Sequence, residues 1–267
     1  MIAGGTSGPY RPGSLKDLLG RGRAILNGWM SLSDPFVAEL LAVGGFASLT
    51  VDRQHGRPGP AGLWELALAI TARGAAPLVR TSNLDGALIA TALDAGFDGV
   101  ICPMIETRDQ AERLVEYCRY PPAGVRSFGP TRAVLDFDGD FRERSNDGVL
   151  CVAMIETRRA LENLDEILAV PGLDGVYVGP ADLALSLGSS PILDDPSDTT
   201  IGLLGDIVSS AREAKKFAGV HCASVEYGLQ MVDRGFQFIT VGSDVRLIRS
   251  MTETVVGQWN AAEGRSG

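Results

Sequence analysis

One short unit recurs four times along the chain, as GFASLTVD (Gly45–Asp52), GFDGVICP (Gly96–Pro103), GLDGVYVG (Gly172–Gly179) and GFQFITVG (Gly235–Gly242). Each copy follows a helical-looking stretch and opens with glycine and an apolar residue. Each then runs into a β-branched strand. Glycine suits the end of a helix because it takes the left-handed conformation cheaply. A continuous apolar strand after it implies burial on both faces, as in a parallel sheet. Four further strands are expected at Ile25–Ser31, Pro77–Arg80, Val149–Ile155 and Phe217–Cys222, with helices over 34–44, 61–74, 84–95, 107–119, 157–169, 199–216, 223–234 and 244–260. Eight strands alternating with helices indicate an α/β fold, a closed (β/α)8 TIM barrel. A doubly wound open sheet is the rival, but its nucleotide-binding forms want a GxGxxG or GxxxxGK[ST] that this chain lacks, so no nucleotide is expected. Residues 1–13, rich in Gly, Ser and Pro, are expected to be a flexible arm before a single barrel domain spanning 14–267.

The 267 residues are 45% hydrophobic, enough for a full core, and carry a net charge of -9 without a basic cluster. That balance argues against nucleic acid and anionic membrane surfaces as partners. No apolar run is long enough to span a bilayer, and the start lacks the order of a signal peptide. Cys102, Cys118, Cys151 and Cys222 form no CxxC pair and read as reduced structural thiols of a cytoplasmic protein.

Barrel chemistry gathers at the C-terminal ends of the strands. The repeat places Asp52, Pro103, Gly179 and Gly242 at equivalent ends, with His55 and Asp182 three residues beyond two of them. Arg80 and Glu156 end or follow two other strands. Glu156 and Asp182 come from consecutive strands and can converge. Two carboxylates without Cys or His favour a hard divalent cation such as Mg2+ or Mn2+. The plainer reading is a helix cap for Asp182 and an ordinary ion pair for Glu156. Arg80 could hold a substrate carboxylate or a developing oxyanion, or else form a structural salt bridge. His55 is the natural proton carrier, its tautomer fixed if Asp52 accepts its ring N–H; the alternative is a solvated loop histidine. His221, inside AGVHCA, reads as structural. Trp29 either walls the site or packs in the core. The only lysines are Lys16, Lys215 and Lys216, none at the catalytic rim, so no Schiff-base lysine is available. The stretch DFDGDFRERSND (Asp136–Asp147) lacks the Gly and Glu of a calcium loop and reads as a solvated acidic loop.

The segment MIETRRALENLDEILAVPGLDGVYVGPADLALSLG (Met154–Gly188) resembles the class II, metal-dependent pyruvate aldolases. These include 4-hydroxy-2-oxoheptane-1,7-dioate aldolase, 2-dehydro-3-deoxyglucarate aldolase and 2-keto-3-deoxy-rhamnonate aldolase. GWMSLSDPFVAELLAVGGF, VDRQHG, PLVR and RYPPAGVRSFGPTRA support the resemblance, which runs from about Leu15 to the C-terminal helix. It implies Glu156 and Asp182 as metal ligands for Mg2+, Mn2+ or Co2+. It implies Arg80 at the pyruvate oxygen, and His55, oriented by Asp52, as the proton carrier. Backbone amides around Gly179, Pro180, Ala181 and Asp182 would receive the pyruvate carboxylate. Gln54 and Met154 stand where some relatives carry Glu and Gln.

The reaction implied is reversible cleavage of a 4-hydroxy-2-oxo acid to pyruvate and an aldehyde. Oxaloacetate decarboxylation or a condensing synthase on the same site is the alternative, and a non-catalytic binding barrel the more distant one. The resemblance also implies a homo-oligomer, often a hexamer, whose C-terminal helices exchange between subunits.

Overall fold

The computed structural model describes residues 14–136 and 140–262; the arm expected over 1–13 lies outside them. Eight parallel strands close on themselves in sequence order: β1 (Ile25–Met30), β2 (Ser48–Asp52), β3 (Ala76–Arg80), β4 (Gly99–Cys102), β5 (Leu150–Ile155), β6 (Gly175–Val178), β7 (Phe217–Cys222) and β8 (Phe238–Val241). This is the (β/α)8 barrel that the repeat implied, and the open sheet is excluded. The glycines that start the four repeats all take positive φ: 100° at Gly45, 96° at Gly96, 82° at Gly172 and 106° at Gly235. The local reason for the repeat is therefore a left-handed residue that turns each helix into the next strand.

Strand residues alternate between two cores. Val51, Val79, Val100, Ile155, Val176 and Val220 point outward beneath the helices. Ile25, Leu78, Val152, Tyr177, Phe217 and Phe238 fill the barrel interior. The helices are held at their starts by side-chain caps. Asp34 accepts from Phe36 and Val37 amides, Asp85 from Ala87 and Leu88, and Thr107 forms a capping box with Gln110.

Three features differ from the sequence reading. A helix at Ser14–Gly20 inserts Leu15 and Leu19 into the base of the interior core. The acidic segment is no loop after residue 140: Asp140 caps a helix, Phe141–Gly148, whose Phe141 is buried beside Tyr120. One buried aromatic and one cap decide the matter where charge alone suggested solvation. The single helix expected over 157–169 is two, Arg158–Glu162 and Leu164–Leu168. They meet at Asn163, whose Nδ2 donates to the Glu106 carbonyl at 2.7 Å.

Candidate active site

The β2–β3 register pairs Asp52 with Arg80 at the C-terminal mouth of the barrel. Arg80 grips Asp52 with two parallel hydrogen bonds, Nε to Oδ1 at 2.9 Å and Nη2 to Oδ2 at 2.6 Å. Both residues are buried. Trp29 lies directly against them. Its Nε1 donates to Asp52 Oδ2 at 3.3 Å, and the Arg80 guanidinium stands 4.8 Å from the centre of its ring. Burial by itself would raise the Asp52 carboxyl. The bond and charge of Arg80, with the amides of Gln54 and His55, outweigh it and hold the group below its ordinary value.

Asp52 also shapes the loop that follows it. Its Oδ1 accepts from the backbone N–H of Gln54 at 2.9 Å and of His55 at 3.3 Å. The chain then turns at Gly56, where a Cβ would come 2.3 Å from the Asp52 carbonyl oxygen, so only glycine fits. Arg57 N–H bonds the Ser31 carbonyl and fastens the loop to the end of β1. The His55 side chain is exposed on this loop. Asp52 therefore holds His55 through its main-chain amide and not through its ring, as the sequence reading had it.

Glu156 follows β5 and is buried. Its Oε1 accepts from the Met104 amide at 2.7 Å, a donor aimed by the left-handed backbone of Met104, φ 57°. A non-glycine residue held in that region marks a constrained rim. Glu156 Oε2 is buried and has no partner among the described residues. That oxygen lies over Gly179, where a Cβ would sit 2.7 Å from it. Burial, followed by the repulsion of Asp182, raises the Glu156 carboxyl; the Met104 amide and the Arg80 charge oppose that rise.

Asp182 stands in the first turn of the helix Pro180–Ser186, exposed at the mouth. The cap position belongs to Gly179, which offers no side chain, so Asp182 is not the cap that the plainer reading assigned it. No third His, Cys, Asp or Glu joins the two carboxylates among the described residues. An orphaned buried carboxylate oxygen, a second carboxylate repelling it and only oxygen donors together suit a hard divalent cation such as Mg2+ or Mn2+.

Beneath the mouth lies a polar network that sequence reasoning did not assemble. Tyr177 stacks on Trp29 at 5.8 Å and meets Thr240 Oγ1 through its hydroxyl at 2.8 Å. His221, read as structural, stands beside them: its ring meets Trp29 edge-on at 5.2 Å, and its Nδ1 is 3.2 Å from the Tyr177 hydroxyl. Asn27 donates to Thr240 and accepts from Ser48 and Thr50. Asn27, Thr240 and His221 are neighbours by strand register. Their sequence signal was polar residues at inward positions of otherwise apolar strands. Buried Asp244, at the start of the C-terminal helix, accepts from the Ser31 and Leu32 amides and ties that helix to the end of β1.

Residues 26–250 match the family described as HpcH/HpaI aldolase/citrate lyase. A hydroxypyruvate/pyruvate aldolase from Rhizorhabdus wittichii is 36% identical over 240 residues, covering 90% of this chain and 96% of the relative. A 4-hydroxy-2-oxo-heptane-1,7-dioate aldolase from Shigella sonnei is 32% identical, covering 93% and 95%. The crystal structure of a family protein from Burkholderia cenocepacia superposes with a TM-score of 0.86 at 28% identity, covering 93% of this chain and 99% of that one. The chain thus belongs to the HpcH/HpaI aldolase/citrate lyase family and is a carbon–carbon lyase.

Proposed function

We propose that this protein is a divalent-metal-dependent aldolase that reversibly cleaves a 4-hydroxy-2-oxo acid to pyruvate, or hydroxypyruvate, and an aldehyde. The observation that carries the reading is the unpartnered Glu156 Oε2, buried beside Asp182 and Gly179 at the barrel mouth. Glu156 and Asp182 would hold the cation, Mg2+, Mn2+ or Co2+. When bound, it polarises the oxo-acid carbonyl as a Lewis acid, worth several kcal/mol of charge stabilisation. No lysine stands at this mouth, so the chain has no residue to form a Schiff base there.

The chain's own groups supply the rest. The free N–H groups of Ala181 and Asp182 open a helix and favour the substrate carboxylate; Pro180 offers none but starts the helix, and Gly179 leaves room. Arg80 presents the edge of its guanidinium not taken by Asp52 to the oxygen that gains charge as C3–C4 breaks. Asp52 and Trp29 are positioning residues for Arg80, with Trp29 as the floor of the pocket. His55 takes the C4 hydroxyl proton and returns it in the synthetic direction, a transfer typically worth about 10²–10⁴-fold. Its exposure on the loop suits exchange of that proton with solvent.

The C-terminal helix Asp244–Ala262 exposes Leu247, Ile248, Met251, Val255, Val256 and Trp259. An apolar face of that length supports the homo-oligomer, with this helix docked on a partner. The four cysteines are free and buried, which supports a reducing, cytoplasmic setting. No helix among the described residues is long and apolar enough to cross a membrane.

The test is a pyruvate-release assay on several 4-hydroxy-2-oxo acids, before and after chelation and with Mg2+, Mn2+ or Co2+ restored. Release that stops on chelation and returns with the cation is expected. Undiminished release from stripped protein, or none from any substrate, would overturn the proposal.

A further inference from the structure

The chain has a net charge of -9 and only three lysines, and all three lysines line one cavity. That cavity, about 410 Å³, lies under the N-terminal ends of β5, β6 and β7, at the opposite end of the barrel from Glu156. Lys16 comes from the helix Ser14–Gly20, while Lys215 and Lys216 come from the turn before β7. Arg212 adds a fourth cation, and Asp174 is the only acidic residue in the lining. A neighbouring cavity shares Arg212 and adds Arg23.

Asp174 pairs with Lys16 and leaves Arg212 and Lys215 without a carboxylate. It already accepts from Lys16 at 2.9 Å, from the Arg119 guanidinium at 3.4 Å and from the Cys151 amide at 2.8 Å. Lys216 is directed at the Val170 and Leu173 carbonyls. Arg212 and Lys215 have no side-chain hydrogen bond or ion pair among the described residues. Residues 1–13 contain no Asp or Glu that could serve them.

The dipole of the helix Asp198–Glu213 favours cations at its C-terminus. It does not account for Lys16, which arrives from another element. Nor are the cations needed as caps, because the last carbonyls are already taken. Lys215 N–H bonds the Arg212 carbonyl, and Lys216 N–H bonds that of Ala211. In that motif Lys215 occupies the left-handed position, φ 58°, where glycine is the unstrained choice. A lysine stands there against its backbone preference, at the lining of a cavity that three other cations share. Burial lowers the affinity of Lys216 for its proton; Asp174 and Cys151 oppose that, and Lys16 adds a smaller push downward.

We propose that this basal cavity is a binding site for a small polyanion, one bearing a phosphate or several carboxylates, held by Lys16, Arg212 and Lys215. Its volume lies in the ordinary range for small-molecule sites. Cations contributed by separate elements give such an anion charge-assisted hydrogen bonds from several directions. The site is independent of the chemistry proposed for the mouth.

The test is calorimetric titration of the full chain with inorganic phosphate and, separately, with tricarballylate, at low salt because screening weakens exposed charge pairs. Lys215→Gly and the pair Arg212→Gln with Lys215→Gly are the variants. Lys215→Gly removes a charge while relieving the backbone, so its melting temperature should not fall. At least one of the two anions should bind, and whichever binds more tightly identifies phosphate or carboxylate as the source. The double variant should lose about tenfold or more in affinity, the loss expected for a charged hydrogen bond. Failure of both anions to bind below about 1 mM, or equal affinity in the folded double variant, would overturn the assignment.

Discussion

The two ends of the barrel carry opposite uncompensated charge. At the mouth, Glu156 and Asp182 face one another, while the nearby cation, Arg80, is already gripped by Asp52. At the base, Lys16, Arg212, Lys215 and Lys216 line a cavity whose one acidic lining residue, Asp174, pairs with Lys16. Each end also holds a residue in the left-handed region, Met104 above and Lys215 below. The mouth differs in depth. Glu156 and Asp52 are buried and their partners are backbone amides and a guanidinium, whereas Arg212 and Lys215 are exposed. Charge buried in this way is worth far more per group than charge open to solvent. Changes at the mouth should therefore have larger effects than changes at the base.

The largest expected effect is at Glu156. Glu156→Gln keeps the shape and removes the charge, and turnover should fall by about 10³-fold, the scale of the Lewis-acid contribution. Measuring metal affinity and pyruvate release together checks the assignment; retained affinity would assign the cation elsewhere. A pH dependence follows from the raised Glu156 carboxyl. A folded group that binds its proton more tightly than the unfolded chain destabilises the metal-free fold as pH rises from the ordinary value of 4.5 through the folded one. The cation reverses that, so chelation should lower the melting temperature more at pH 7 than near 4.5. Equal losses at both would break the link between this carboxylate and the metal.

Arg80 comes next. Arg80→Lys keeps a cation but cannot reproduce the two parallel bonds to Asp52. A drop of about 10²–10³-fold in rate is expected, the size of losing one oxyanion donor. Exchange of the pyruvate methyl protons, followed by NMR, isolates this step from aldehyde binding. An unchanged exchange rate would leave Arg80 with a purely structural role.

Much of this arrangement was legible in the sequence. The four repeated glycines and their strands fixed the barrel, because each local rule agreed with the next. Asp52, Arg80 and Glu156 could be placed at one rim because strand ends in such a barrel face the same way. The helix Phe141–Gly148 escaped because its acidic, polar composition masks a single anchoring Phe141 and one cap, Asp140. Asp52 was assigned to the His55 ring because sequence spacing cannot distinguish a bond to a side chain from one to its own amide. The interior network of Asn27, Tyr177, His221 and Thr240 depends on register between strands more than 200 residues apart for its longest link, Asn27 to Thr240. That Lys16 meets Lys215 and Lys216 around one cavity depends on where the helix Ser14–Gly20 docks, which no local pattern shows.

The His221 ring tests the boundary between the mouth and the interior. Burial, then the charges of Arg80 and Arg246, hold it down to about 4, with Asp52 and Asp194 acting the other way. A histidine depressed in the fold stays neutral while the unfolded chain takes a proton. Its contribution to stability is therefore complete above the ordinary value of 6.5 and declines as pH falls from 6.5 to about 4. A difference of that size corresponds to about 3 kcal/mol. His221→Gln should flatten the fall in melting temperature across that window while leaving Tyr177 a polar neighbour. An equally steep fall in the variant would mean that His221 titrates normally.

The smallest effect separates space from backbone freedom as the reason for a glycine. Gly179 has an ordinary negative φ of -97°, so alanine suffers no backbone strain there. Its Cβ would nevertheless lie 2.7 Å from Glu156 Oε2 and 3.1 Å from Met154 Cε. Contacts that close force the carboxylate to move, while Met154 can swing aside. Gly179→Ala should therefore fold normally and weaken metal binding by about 10–100-fold, the range seen when groups that orient a metal ligand are disturbed. Gly235 at the base is different: its φ of 106° makes any side chain strained, and a Cβ would also meet Arg212 Nη2 at 2.5 Å. Gly235→Ala should lower the melting temperature and leave metal affinity intact. If instead Gly179→Ala destabilised the fold without touching metal affinity, the orphaned oxygen of Glu156 would not face the cation, and the contrast between the two ends would lose its chemical meaning.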